Sequence, residues 1–133
     1  MRVSELMETE LETVAPDMTI AQAIVRLSEA HVHGVPVVDG AGRIVGVLTT
    51  TDVLNAAAET TDSEARERLF DKTTVEEIMT PRPMTVDPAT DVKEAAQQML
   101  YLEVHRLFVE AGDQLVGVIS QSDIVRAVAL ARI

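Results

Sequence analysis

The chain has 133 residues, 11 Lys and Arg against 22 Asp and Glu for a formal charge of −11, and no cysteine. A chain of this length folds as about one domain and buries roughly 70% of the surface it exposes when unfolded, its acidity works against nucleic acid and anionic membranes, and the missing thiols exclude a disulfide scaffold, a thiolate zinc site and a cysteine nucleophile. No apolar run approaches the roughly 20 residues that span a bilayer, and the N-terminal MRVSELMETELE carries acid where a signal peptide has its apolar core; the expectation is a soluble, cytoplasmic protein with neither a membrane nor a nucleic-acid partner.

In chain order, Thr19-Ile20-Ala21-Gln22 has the form of a capping box. Behind it Ile20, Ala23, Ile24 and Leu27 recur at helical spacing and lay one apolar stripe on a neighbour. Val35-Pro36-Val37-Val38 and Ile44-Val45-Gly46-Val47-Leu48 read as two strands joined by a turn at 39–43, and a helix is expected to start near Asp52. Residues 58–74 are polar. There Thr60-Thr61-Asp62-Ser63 offers a cap for a solvated connecting helix, with Glu64 and Arg68 in the favourable i, i+4 order. The same elements then return: Asp91-Val92-Lys93-Glu94 as a second capping box, Val92, Ala95, Ala96 and Met99 as the stripe, strands at 107–109 and 115–119 around a turn at 110–114, and a helix from near Asp123. With Phe70, Tyr101 and Phe108 the only aromatics, the core must be aliphatic.

The recurrence is an internal duplication. Setting VSELM (3–7) over VEEIM (75–79) places Thr13-Val14-Ala15-Pro16 on Thr85-Val86-Asp87-Pro88, Ala23 on Ala95 and Val32-His33 on Val104-His105. After one deletion in the turn, Val45-Gly46-Val47-Leu48-Thr49 falls on Val116-Gly117-Val118-Ile119-Ser120, and Asp52 on Asp123. Residues 1–58 and 75–133 are thus read as two repeats, each strand, helix, strand, turn, strand, helix, joined by 59–74. The fold class is α/β (α+β), two tandem β-α-β-β-α repeats. Each repeat is marginal alone, so the two sheets are expected to pack together about a pseudo-twofold axis with a cleft on either side.

Several constellations fail on spacing. The glycines at 40, 42 and 46 lead into a strand, where a dinucleotide fingerprint needs a helix N-terminus facing the pyrophosphate. His31 and His33 lack a third metal ligand at matching spacing, and Thr49, His33 and Asp52 lack the strained turn of a nucleophile. No catalytic set and no metal site is assigned. The informative pair is GVLTTTD (46–52) and GVISQSD (117–123): each ends a buried strand in hydroxyl residues and delivers an Asp at a helix start. Capping explains such residues. A strand end opening into a helix N-terminus also presents amides and hydroxyls to a phosphate, and a nearby carboxylate can accept two hydrogen bonds from a ribose diol. Both readings can hold together.

The G-h-h-[ST]-x-x-D turn after a hairpin, the preceding h-P-V-V-D, the opening V-x-E-[LI]-M and the tandem duplication together resemble a CBS-domain pair, or Bateman module, from Val3 to about Ala129. The resemblance implies adenosine-nucleotide binding in the clefts, with AMP, ADP, ATP or S-adenosylmethionine as ligand, no required cofactor, and pairing into a disc-shaped homodimer. Carried over by motif, Asp52 and Asp123 accept from the ribose hydroxyls, and Thr49 and Ser120, with Thr51 and Ser122 beside them, face phosphate. His33, Gly34, Val35 and Pro36, and His105, Arg106 and Leu107, line the base and phosphate region. Thr13 and Val14, and Thr85 and Val86, offer main-chain groups to adenine. Arg106 is the best phosphate ligand, its planar fork suiting bidentate contact. The second copy departs from the pattern, with Phe108 in place of Pro and Glu110-Ala111 in place of Val-Asp, which reshapes its pocket.

The function expected from this is a regulatory, metabolite-sensing module that binds an adenosine nucleotide and acts on an unknown effector protein by changing shape. The alternative is a ligand-independent dimeric interaction scaffold in which the Asp and Thr residues only cap helices. An enzyme is not expected, since no coherent general base, nucleophile or metal set is present. The helices over 53–58 and 124–133 carry more Val, Leu and Ala than one face needs, a surplus suited to an isologous homodimer interface.

Overall fold

The computed structural model describes residues 1–130. Its backbone divides into two compact units: Glu12–Pro83, and Met1–Leu11 together with the chain from Met84 onward.

In the unit Glu12–Pro83, α1 (Ile20–Ala30) starts where the sequence places it. Thr19 Oγ1 accepts from the Gln22 N–H at 3.2 Å and Gln22 Oε1 accepts from the Thr19 N–H at 3.0 Å, so two first-turn donors are satisfied reciprocally. The helix ends on His31 in the left-handed region (φ 55°). An antiparallel hairpin follows, β1 (Gly34–Val38) and β2 (Ile44–Thr49), with Gly34 opposite Thr49. Its turn is closed by Asp39, whose carboxylate accepts from the N–H groups of Ala41 and Arg43 at 2.9 and 3.0 Å and from Arg43 Nε at 3.1 Å. The sequence then runs through α2 (Thr50–Ala58), α3 (Ser63–Asp71) and α4 (Val75–Ile78) into β3 (Thr80–Pro81), which pairs with β2 to give the sheet order β1-β2-β3. Val14, Ile20, Ala23, Leu27, Val35, Val37, Leu48 and Val75 form the core.

In the other unit a 3-10 turn (Val3–Glu5) precedes β4 (Thr85–Val86), α5 (Val92–Leu102), β5 (Arg106–Ala111), β6 (Gln114–Ser120) and α6 (Gln121–Ala129). β4 lies parallel to β5 and β5 antiparallel to β6. The hairpin turns on Gly112 and Asp113, both at positive φ (55° and 64°), the two-residue loop whose twist matches the flanking strands. Val3, Val92, Ala95, Met99, Leu107, Val109, Ile119 and Ile124 build this core.

Four sequence expectations change. The second helix of each repeat begins at Thr50 and Gln121, ahead of Asp52 and Asp123, because Thr49 and Ser120 are the caps. The strand expected ahead of the first helix of the first repeat is reduced to a single parallel bridge between Val14 and Val37. The capping box at Asp91 forms only by half. Asp91 accepts from the Lys93 N–H at 2.8 Å, but the N-terminal segment lies along this turn, with Val92 N–H donating to the Met1 carbonyl at 2.9 Å and the Met1 amino group 3.8 Å from Asp91. Finally, α3 is not wholly solvated: Asp62 caps it as expected, yet Leu69 is buried and Phe70 packs on the core. Of the helix expected over 124–133, residues 131–133 lie outside the described residues.

The V-x-E-[LI]-M segments explain in physical terms why both hairpins have a glycine at the matching position, Gly46 and Gly117. A Cβ on Gly117 would meet Met7 Sδ at 2.8 Å and the Glu8 carbonyl oxygen at 2.9 Å. A Cβ on Gly46 would meet Met79 Sδ and, at 2.9 Å, the Thr80 carbonyl oxygen. In each case a methionine and the residue after it, Glu8 or Thr80, lie against a bare stretch of backbone, so the position admits no side chain.

Candidate functional site

In the unit Glu12–Pro83, β2 passes directly into α2. The Thr49 N–H donates to Asp52 Oδ2 at 3.0 Å and the Asp52 N–H donates to Thr49 Oγ1 at 3.1 Å. The Thr80 hydroxyl also donates to Asp52 Oδ1 at 3.1 Å. Both residues therefore hold structural bonds, but a carboxylate offers about four acceptor positions, and Asp52 is only half-buried, so acceptor capacity remains for a ligand. The Thr50 N–H donates to the His33 carbonyl at 2.8 Å and ties the start of β1 to the first turn of α2. His33, Gly34, Thr49, Thr51 and Asp52 thus meet at one end of the sheet, with His33 and Thr51 exposed. Val35 and Pro36 are buried further along β1. Thr13 and Val14 lie on the far side of β1: Val14 N–H donates to the Pro36 carbonyl at 3.1 Å, the Val14 carbonyl accepts from Val38 N–H at 2.9 Å, and the Thr13 carbonyl accepts from Arg26 at 3.0 Å.

The second unit repeats the geometry. The Ser120 N–H donates to Asp123 Oδ2 at 2.9 Å and the Asp123 N–H to Ser120 Oγ at 3.1 Å. The Gln121 N–H donates to the His105 carbonyl at 2.8 Å, and the His105 Nδ1 lies 3.4 Å from Gln121 Oε1. Arg106 stands opposite Ser120, its guanidinium 5.9 Å from the centroid of the Phe108 ring. Leu107 points into the core, Ser122 is exposed, and Thr85 and Val86 pair with Phe108 and Val109. Arg126, one turn into α6, lies 3.5 Å from Asp123.

Sequence reasoning missed Thr80 and Arg126. Arg126 carries a local signal, three residues beyond Asp123; Thr80 carries none, as it reaches Asp52 across 28 residues. A further feature lies on the helical side of the unit Glu12–Pro83, a groove of about 830 Å3 between α1, α2 and α3. Ile24, Leu27, Val32, Val53, Leu54 and Phe70 give it an apolar wall, and neither Thr49 nor Asp52 lines it. Among the described residues no three His, Cys, Asp or Glu side chains are grouped to hold a metal ion, and no helix is long and apolar enough to cross a membrane.

Two helix-backed three-stranded sheets, each ending in a hydroxyl-x-x-Asp turn at a helix start, define a tandem mixed α/β module. The CBS domain family model matches residues 3–59 and 75–130, and the chain belongs to that family as a tandem CBS pair. It is similar to the chloroplastic CBS domain-containing protein CBSX1 of Arabidopsis thaliana, with 30% identity over 139 residues covering 89% of this chain and 59% of that one; the chain spans less than two thirds of that relative's length. Among solved structures it resembles CBSX2 in complex with AMP, at TM-score 0.81 and 27% identity over 99% of this chain and 98% of the other. It also resembles the CBS domain pair of MJ0100 in complex with 5′-methylthioadenosine and S-adenosylmethionine, at TM-score 0.76 and 25% identity over 96% and 99% of the two chains.

Proposed function

We propose that the chain is a non-catalytic regulatory module that binds an adenosine nucleotide at the ends of its two hairpins and passes the change in shape to an effector protein. The observation that carries this reading is the twofold occurrence of a half-buried carboxylate with remaining acceptor capacity, Asp52 and Asp123, fixed by a neighbouring hydroxyl at a strand-to-helix turn. A carboxylate held this rigidly suits the two adjacent hydroxyls of ribose. The ligands named for CBSX2 and MJ0100, AMP in one and 5′-methylthioadenosine with S-adenosylmethionine in the other, support the adenosyl group as the shared element. Thr49, Thr51, Ser120 and Ser122 then face phosphate or its replacement; His33 to Pro36 and His105 to Leu107 line the remainder of the site, and the 13–14 and 85–86 segments border the base. The compartment we assign is the cytoplasm.

Isothermal titration with AMP, ADP, ATP, S-adenosylmethionine and NAD tests the reading. Binding by at least one adenosine compound is expected, weakened separately by Asp52→Ala and Asp123→Ala; silence at millimolar ligand rejects it.

A second reading, a ligand-independent dimeric scaffold, is favoured by the reciprocal capping, which gives all four residues Thr49, Asp52, Ser120 and Asp123 a sufficient structural task. Under it, loss of a cap costs about 1 kcal/mol and nucleotide leaves the melting temperature unmoved. A homodimer belongs to both readings. Val125, Val128 and Leu130 are 65, 57 and 61% exposed along α6 and just beyond it, a larger apolar surface than scattered single residues present, and α2 exposes Leu54 at 68%. Light scattering at tens of micromolar is expected to give twice the chain mass.

A further inference from the structure

We propose that the two hairpin ends are specialised for ligands of different charge: the Ser120–Asp123 end takes an adenosine compound bearing a 5′-phosphate, and the Thr49–Asp52 end takes an adenosyl compound without one, such as a thioether nucleoside. This deepens the nucleotide-binding reading above and rests on it. In the second unit Arg106, Phe108, Val118 and Ser120 alternate with the core residues Leu107, Val109 and Ile119, so the four share the sheet face turned away from α5 and α6. At the matching register the first unit has Gly34, Pro36, Val47 and Thr49 alternating with the core residues Val35 and Leu48. Opposite the hydroxyl residue there is thus a guanidinium resting on an aromatic ring in one unit and no side chain at all in the other.

The surroundings of the two carboxylates differ in the same sense. Asp123 has the Arg126 guanidinium 3.5 Å away, where the duplication puts Asn55 in the first repeat. Asp52 has instead the neutral hydroxyl of Thr80 at 3.1 Å. Two guanidinium groups therefore border one strand end, while the other has the exposed His33 and its carboxylate. With a chain charge of −11, a phosphate is repelled unless cations stand beside it, and guanidinium groups are suited to bidentate phosphate contact. Among the described residues no guanidinium is paired with Asp52 and the position opposite Thr49 is Gly34, so the neutral tail of a thioether nucleoside is the better match there.

The full chain is titrated calorimetrically with AMP and with 5′-methylthioadenosine, at low and at physiological salt, as wild type and as Arg106→Gln, Arg126→Gln and Asp52→Ala. Both arginines are exposed, so their replacement is expected to leave the cores intact, with an unchanged circular dichroism spectrum as the check. Arg106→Gln and Arg126→Gln are each expected to weaken AMP about tenfold or more, with a shallower salt dependence, whereas Asp52→Ala takes its loss in the 5′-methylthioadenosine isotherm. An AMP isotherm that loses its binding event in Asp52→Ala and keeps it in Arg106→Gln overturns the assignment, as does competition of both ligands for one site. A wild type that binds neither ligand rejects nucleotide binding itself, an outcome distinct from binding without the division between ends.

Discussion

Asp39 closes its hairpin through three hydrogen bonds, and they set its acidity. The Arg43 N–H above all, joined by the Ala41 N–H and the Arg43 guanidinium, holds its carboxyl below the ordinary range against the opposing effect of desolvation. A carboxyl depressed in the folded state stabilises it above the unfolded value, about 3.9, and loses that contribution as pH falls through the folded value. Asp39→Asn is therefore expected to lower the urea midpoint at pH 7, with the difference from wild type vanishing as the medium is acidified below the usual carboxylate range. A gap that persists in strong acid would assign the effect to geometry alone. At Gly117 and Gly46 the constraint is steric. Because the atom 2.9 Å from an added Cβ is a backbone oxygen in both cases, no rotamer change relieves the clash, and Gly117→Ala or Gly46→Ala is expected to cost about 1–3 kcal/mol, read as a fall in melting temperature. The duplication marked these glycines as matching positions, but nothing near them in sequence named Met7 and Met79 as the reason.

Helix starts and stops were the most legible elements, because a cap is decided within four residues. Thr19 with Gln22 forms as its spacing requires, and Thr49 with Asp52 and Ser120 with Asp123 use the same device, so the helices expected near Asp52 and Asp123 begin two residues ahead of them, directly after the hydroxyl caps. Asp91 shows the limit of local reasoning, since its partner is a segment some ninety positions earlier in the chain, the Met1 carbonyl and amino group. The other helix ends are less favourable than they need be. α1 and α5 each finish on a left-handed residue, His31 (φ 55°) and Glu103 (φ 57°), where glycine would sit without strain. Glu103→Gly is expected to raise stability by about 1 kcal/mol, visible as a higher melting temperature with nucleotide affinity unchanged; a lower one would mean that the Glu103 side chain contributes more than its backbone strain removes.

For the whole molecule, the repeats and the compact units divide the chain differently. The family matches begin at residues 3 and 75, yet Met1–Leu11 packs with the chain from Met84 onward, while Val75 to Pro83 packs with Glu12 and its successors. Glu8 pairs with Val118 in both directions, N–H to carbonyl at 2.8 Å and carbonyl to N–H at 3.0 Å, and Val3 is fully buried in that unit's core. Removing residues 1–11 should therefore collapse hydrogen-exchange protection at the Val118 amide in β6 and leave the amides of β1 protected; equal loss in both would show that the two units do not open separately. By itself the sequence determined the duplication, the β-branched hairpin strands, the amphipathic stripes and the two hydroxyl-x-x-Asp turns, since each is a pattern of side-chain type over a few positions, governed by backbone periodicity and local hydrogen bonding. Only the tertiary structure decided which segment covers which sheet, that Thr80 reaches Asp52 and that Arg106 stacks over Phe108 opposite Ser120. The segment and Thr80 contacts join residues far apart in the chain, Arg106 meets Ser120 only through strand pairing, and their geometry comes from packing, which leaves no periodic trace in the order of the residues.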